Sequence, residues 1–180
     1  VVILEVGIGG RLDATNIIDN ELAVITSIGL DHMNVLGPDR ETIGLEKAGI
    51  MRPGKSTVIA EVHIPHSVLQ YATLLGCHAY CYGKAYHYQV HKQHWDWYTI
   101  SDDQAITAQH WTHLPLPQID LHNAATSLMA IMALAPLFPV NEAAIHHALT
   151  HTQLAGRCQM IADKPQIIVD VAHNPEACYH

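Results

Sequence analysis

Apolar and polar positions alternate along the chain in blocks that predict its elements. Val1 to Leu4 is an apolar run that meets Glu5 and then the glycines Gly7, Gly9 and Gly10. A short apolar run bounded by glycines predicts a strand buried on both faces, as in a parallel sheet. Leu22 to Gly29 (LAVITSIG) predicts a second buried strand that runs into Leu30-Asp31-His32. Asp39 is placed to cap a helix from about Arg40 to Met51, which Arg52-Pro53-Gly54 then stops. Ser56 to Glu61 predicts a third strand, Pro65 to Gly76 a short amphipathic helix, and Cys77 to Tyr82 a further strand. Strands alternating with helices predict a parallel, doubly wound sheet.

The texture changes from Lys84 to Leu114, where aromatic and histidine residues alternate in YHYQV, WDWYTI and AITAQHW. This predicts a small antiparallel patch with a turn near Ser101-Asp102-Asp103, ended by Pro115 and Pro117. Leu121 to Leu137 predicts a strongly apolar helix. Asn141 caps another, with Ala144, Ile145, Ala148 and Leu149 on one face. Leu154 to Arg157 reads as a hinge, and Gln166 to Val171 as a buried strand leading into Ala172-His173-Asn174-Pro175. The chain starts inside a strand without an initiator Met and stops where a helix should begin, so it reads as an internal fragment.

Composition narrows the function classes. At 180 residues, 49% hydrophobic and 14% charged, the chain is globular and not disordered. A formal charge of −8 with no basic run argues against nucleic acid. An anionic substrate then needs metal ions or a few placed basic groups. Trp95, Trp97 and Trp111 lie in an alternating pattern without basic neighbours, which favours packing over base stacking. Cys77 and Cys81 are spaced C-x3-C with no second pair at zinc-site spacing, so reduced cytosolic thiols are expected. The most apolar segment, Ala124 to Val140, is too short and too interrupted to span a membrane.

Apolar segments run into polar clusters at Glu5 with its glycine loop, at Asp31-His32, and at Asp170 with His173-Asn174. In parallel sheets ligands gather where strands end. A carboxylate and an imidazole there suit a divalent metal serving phosphate chemistry, although a Glu reaching water or a loop His bonded to backbone would look the same. Ile43, Lys47 and Ile50 fall at i, i+4 and i+7, so Lys47 lies inside an apolar stripe. It is either a snorkelling stem or a functional amine whose pKa burial depresses. A neutral amine can take up carbon dioxide as a carbamate able to hold a metal. The glycine loop permits close backbone approach, Arg157 beside Gly156 could hold a phosphate or simply be solvated, and Asn123 early in its helix reads as a cap or a ligand.

Five blocks then appear in order: EVGIGGRLDATN (Glu5–Asn16), ITSIGLDHMNVLGPDRETIGLEKAGI (Ile25–Ile50), HNAAT (His122–Thr126), GR (Gly156-Arg157) and DVAHNP (Asp170–Pro175). Together they closely resemble the dihydrofolate synthase/folylpolyglutamate synthase family of the Mur ligase superfamily. The likeness covers nearly the whole chain and is loosest between about Val62 and Pro117. It implies an α/β fold: a Mur-ligase-like central ATPase domain, mostly parallel sheet with a small antiparallel patch, over residues 1–155. Residues 156–180 would be a hinge and the first strand of a Rossmann-like C-terminal domain.

The resemblance also implies an ATP- and magnesium-dependent amide ligase adding L-glutamate to dihydropteroate or a folylpolyglutamate through an acyl phosphate. Glu5 and His32 would be magnesium ligands, and Lys47 a carbamylated lysine assisting metal and phosphate placement. Leu12, Asp13 and Ala14 would lie against the pterin. Asn123, Arg157 and Asp170 would contact ATP with His173 near its phosphates, Arg157 and Asp170 reaching it across the hinge. Small-molecule partners, a monomer and a cytoplasmic location are expected.

The family's glycine-rich P-loop and most of its C-terminal domain are absent from these 180 residues, so the chain alone is expected to be inactive. Three other readings remain at this stage. One is a cell-wall Mur-type ligase and another a non-catalytic nucleotide- or metal-binding module. The third is a methyl-donor-dependent transferase suggested by EVGIGG.

Overall fold

The computed structural model describes residues 1–100, 108–157 and 159–171. They form two compact units that divide between Ala85 and Tyr86.

The first unit is built on a parallel sheet of three strands, β1 (Leu22–Ile25), β2 (Ser56–Ile59) and β3 (His78–Cys81), in the order β1-β2-β3. The single-turn helix α1 (Met33–Leu36) and α2 (Arg40–Ala48) lie between β1 and β2, and α3 (His66–Leu74) lies between β2 and β3. The strand–helix alternation is therefore as expected, although the strands follow chain order and form no switch point among the described residues. Ile25, Ile28, Ile43, Ala48, Met51, Ile59, Val68 and Ala72 form the core. Asp39 caps α2 by accepting the Thr42 N–H at 2.8 Å. Glu41 of α2 caps α3 from outside, its carboxylate accepting the N–H groups of His66 (3.0 Å) and Ser67 (2.7 Å).

One expected element is missing. Residues 1–6 form no strand, and Val1, Val2 and Ile3 are 89%, 82% and 89% exposed. A strand buried on two faces exists only where neighbouring strands take its hydrogen bonds. No described strand pairs with this run. Glu5 consequently lies in an exposed segment, not at the end of a dry strand.

In the second unit β4 (Tyr86–Val90), β5 (His94–Thr99) and β6 (His110–Pro115) form the expected antiparallel patch. The expected turn near Ser101 lies outside the described residues. Trp95, Trp97, Tyr86, Trp111 and Leu114 are buried on one face, so the tryptophans do pack. Helix α4 (Leu121–Leu134) carries Ala125, whose carbonyl accepts the Trp97 indole N–H at 3.0 Å. Helix α5 (Glu142–His151) is capped by Asn141 as expected, but only Ile145 and Leu149 of its expected face are buried. A hairpin of β7 (Gln159–Asp163) and β8 (Gln166–Val169) follows. β8 is exposed at every position and pairs antiparallel with β7, so the expected buried strand is instead half of a solvated hairpin. Among the described residues no helix is long and apolar enough to cross a membrane.

Candidate functional site

The glycine loop and Lys47, two of the features expected of a site in the first unit, meet at α2. Lys47 stands in its last turn, half-buried on the side that carries buried Ile43. Burial pushes its ammonium below the ordinary lysine value, and the nearby Asp31 carboxylate works against that shift. The amine is thus more readily neutral than a surface lysine, and a neutral amine is nucleophilic. Half-burial of the side chain fits a snorkelling stem as well as a functional amine.

Asp31 and His32 lie where the chain leaves β1 and enters α1. His32 is the N-cap of α1 in the left-handed region (φ +50°), a conformation uncommon for a residue with a β-carbon. The Asp31 carboxylate accepts the His32 N–H at 2.7 Å, and the two side chains approach to 3.9 Å. The His32 ring is about half exposed and open to a ligand. Asp31 thus holds the His32 backbone and also acts electrostatically on the half-buried Lys47, an influence its position in the sequence did not make evident.

The glycine loop approaches α2 closely. A β-carbon on Gly10 would stand 2.9 Å from the Glu46 carbonyl oxygen and 3.0 Å from that of Lys47. Gly9 has φ +70° and would meet Leu36. The Arg11 N–H donates to the Glu46 carbonyl at 2.8 Å, and its guanidinium grips the Glu46 carboxylate from Nε and Nη2. These glycines therefore let a loop pack on a helix end, whatever else they admit.

Asp13 organises the same loop. It accepts from the Thr15 hydroxyl (2.7 Å), the Thr15 N–H (2.9 Å) and the Gly7 N–H (2.9 Å). Those bonds, the Thr15 hydroxyl first, hold its carboxyl below the usual value. Leu12, Asp13 and Ala14 line a cleft of about 430 Å³ together with the glycine loop, Val35, Leu36 and Glu46. The three residues expected against a substrate are thus brought together at one cleft.

Two further groups position this region and carried no clear sequence signal. Arg40 donates to the Ile28 carbonyl (2.8 Å) and the His63 carbonyl (3.0 Å) and pairs with Glu61 at 3.0 Å. Glu61 accepts the Ile28 N–H at 2.8 Å, so one ion pair fixes the loops after β1 and β2. Arg52 donates to the carbonyls of Asn16 (2.7 Å) and Ile50 (3.2 Å), tying the segment after the cleft to the end of α2. Tertiary ion pairs of this kind leave no periodic trace.

Glu5 is exposed in the segment before the glycine loop, and no hydrogen bond ties it to His32 or Lys47. The second unit holds the other expected residues. Asn123 is exposed in the first turn of α4, where its N–H is taken by Asp120 at 2.8 Å. Gly156 turns the chain with φ +68°, Arg157 beside it is exposed, and Asp170 is exposed after β8. The N–H of Val171 returns to the Gly156 carbonyl at 2.9 Å, which sets Arg157 and Asp170 on neighbouring stretches. His173 lies outside the described residues.

No family model matches the chain. It is 44% identical over 179 residues to the dihydrofolate synthase/folylpolyglutamate synthase of Escherichia coli, a match that covers 98% of this chain and 40% of that protein. Among solved structures it superposes on Escherichia coli FolC in complex with DHPP and ADP with a TM-score of 0.87 and 42% identity. That alignment covers 96% of this chain and 39% of the other. It is also similar to the bifunctional folylpolyglutamate synthase/dihydrofolate synthase of Yersinia pestis complexed with AMPPNP and Mn ion, with TM-score 0.84, 42% identity, and coverage of 96% and 40%. The chain spans about two-fifths of the length of the relatives it matches, and over that span it closely resembles them in sequence and fold.

Proposed function

We propose that this chain is a stretch of a dihydrofolate synthase/folylpolyglutamate synthase, an ATP-dependent ligase that joins L-glutamate to dihydropteroate, to a folylpolyglutamate, or to both. The observation that carries this reading is the cleft walled by Leu12, Asp13 and Ala14 on one side and Val35 and Leu36 on the other. It is mostly apolar, with two carboxylates at its margin, and suits a flat heteroaromatic ring with polar edges. Asp13 holds the glycine loop in shape and offers its carboxylate edge to the ring's N–H groups.

The reaction transfers the terminal phosphoryl group of ATP to the substrate carboxylate, giving an acyl phosphate and ADP. The glutamate amine then attacks the acyl carbon, and the tetrahedral adduct expels phosphate as the amine loses its proton, leaving an amide. Both reactants are anions on an acidic chain, so charge must be neutralised locally. Glu5 and His32 expose a carboxylate and an imidazole, a donor set that accepts a divalent ion, and would hold Mg²⁺. When bound, Mg²⁺ supplies positive charge where phosphate and carboxylate oxygens approach. Lys47, with its depressed ammonium pKa, serves in the site as an amine or as its carbamate. Asn123, Arg157, Asp170 and His173 bind ATP. Residues 1–155 belong to the ATP-binding ligase domain and residues 156–180 open the next, and the whole protein works as a cytoplasmic monomer.

The run Gly49 to Ser56 (GIMRPGKS) has the spacing of a phosphate loop but leads into β2 and not into a helix, so the 180 residues alone do not turn over ATP. The test uses the full-length protein with dihydropteroate labelled with ¹⁸O in its carboxylate, ATP and glutamate. One label is expected in the released phosphate. Unlabelled phosphate, or no ATP-dependent product with either folate substrate, overturns the reading.

A further inference from the structure

The second unit carries a group of side chains that the ligase chemistry does not use. His91, His94 and Asp96 each offer a ligand atom, and these atoms all lie within 4.8 Å of one another. Among the described residues they are the one group of three or more His, Cys, Asp or Glu side chains drawn together in this way.

The fold explains why they meet. In β4 and β5, Gln89 pairs with Asp96 and Val90 with Trp95, and the His91 N–H donates to the His94 carbonyl at 2.9 Å. Lys92 and Gln93 are therefore a two-residue turn with His91 and His94 directly opposed. Because strand side chains alternate, His91, His94 and Asp96 share one face, while Trp95 and Trp97 are buried on the other. A slip of one residue would expose both tryptophans, so the core fixes the register of the polar face.

A β-bulge completes the arrangement. Trp95 pairs with Leu114 and Trp97 with Trp111, which leaves Thr112 and His113 opposite Asp96 alone. His113 takes φ +57°, donates its N–H to Asp96 Oδ1 at 2.9 Å, and stacks its ring on His94 with centroids 4.4 Å apart. One carboxylate oxygen is thus held by backbone. The other, Oδ2, lies 3.3 Å from His91 Nε2. His91 also stacks on His94 at 4.5 Å. All three side chains are half-buried.

We propose that His91, His94 and Asp96 bind one borderline divalent transition ion of the Zn²⁺ class. Two imidazoles and a carboxylate are the donors such ions prefer over Mg²⁺. The donors need only modest side-chain rotation to come within about 2.0–2.2 Å of a common centre, and the His113 N–H orients the carboxylate as outer-sphere partners do in metal sites. A cavity of about 440 Å³, lined by Asp96 with Gln89, Tyr98 and His110, opens beside the carboxylate and leaves room for a water as the remaining ligand. The ion clips the β4–β5 turn and has no part in the ligase reaction, so the site is independent of the function proposed above.

The experiment uses the intact protein in excess Mg²⁺, with Co²⁺ as the spectroscopic probe and Zn²⁺ affinity read by competition with a chromophoric chelator. One Co²⁺ per chain is expected to show the intense visible bands of four-coordination, displaced by Zn²⁺. His91→Ala, His94→Ala and Asp96→Asn should each weaken Zn²⁺ at least about tenfold with the near-ultraviolet signal of the buried tryptophans retained. His147→Ala, an exposed histidine of α5, should leave affinity unchanged. The proposal fails if the intact protein binds no transition ion under these conditions, or if His94→Ala and Asp96→Asn bind Zn²⁺ as the unaltered chain does.

Discussion

A few residues fix the first unit's site region, and Gly10 is the clearest of them. Its missing β-carbon lets the loop lie on the carbonyls of Glu46 and Lys47. Gly10→Ala is therefore expected to destabilise the unit by about 1–3 kcal/mol, read as a fall in the denaturation midpoint at unchanged slope. The glycines were legible as a loop that permits close approach, but the sequence could not say that the approach is to a helix. Lys47 was more transparent, because its place in an apolar stripe already implied a strained ammonium, and the depressed pKa agrees. Asp31 was legible only as part of a polar cluster. Its influence on Lys47 depends on how β1 and α2 pack, which no local pattern encodes.

Elements whose signals are local were read well. Asp39 and Asn141 announced α2 and α5 because an N-cap acts within three residues. Helix α1 was missed, being a single turn entered through a left-handed histidine. Strand β7 was missed because QMIAD is almost wholly exposed and has no alternation to read. The run at residues 1–6 erred the other way, since hydrophobicity reports what a segment would bury and not whether a neighbour covers it.

Two predictions belong to the elements. The Glu41 carboxyl lies below its ordinary value, chiefly through the Ser67 N–H, then the Ser67 hydroxyl and the His66 N–H. Its contribution to stability is therefore present above the unfolded carboxyl value and lost as pH falls through the folded one. Glu41→Gln should lower the melting temperature at neutral pH, and the gap to the unaltered chain should close as pH drops below 4.5, the ordinary value. In the second unit, Trp97→Phe leaves the buried Ala125 carbonyl without its indole donor. A loss of about 1–3 kcal/mol follows, measurable by chemical denaturation of that unit.

At the scale of the whole molecule, the parallel sheet and the antiparallel patch were legible from the alternation of strands with helices and of aromatic with polar residues, and the likeness to the synthases from five separated blocks, in a match that spans 98% of the chain. Burial of the terminal strands was not, since it depends on what lies against them. The histidine face of the antiparallel patch was also passed over. Alternation revealed its buried aromatic side, but the convergence of His91, His94 and Asp96 required the turn and the bulge.

The central claim is that Glu5, His32 and Lys47 serve one divalent ion in the ligase site. Electron paramagnetic resonance of Mn²⁺ bound to the full-length protein with a non-hydrolysable ATP analogue tests it most directly. With His91, His94 and Asp96 already substituted, Glu5→Gln and His32→Ala should each remove one bound Mn²⁺ per chain, and Lys47→Met should alter the spectrum of that ion. Unchanged Mn²⁺ stoichiometry and spectra in all three variants would contradict the account.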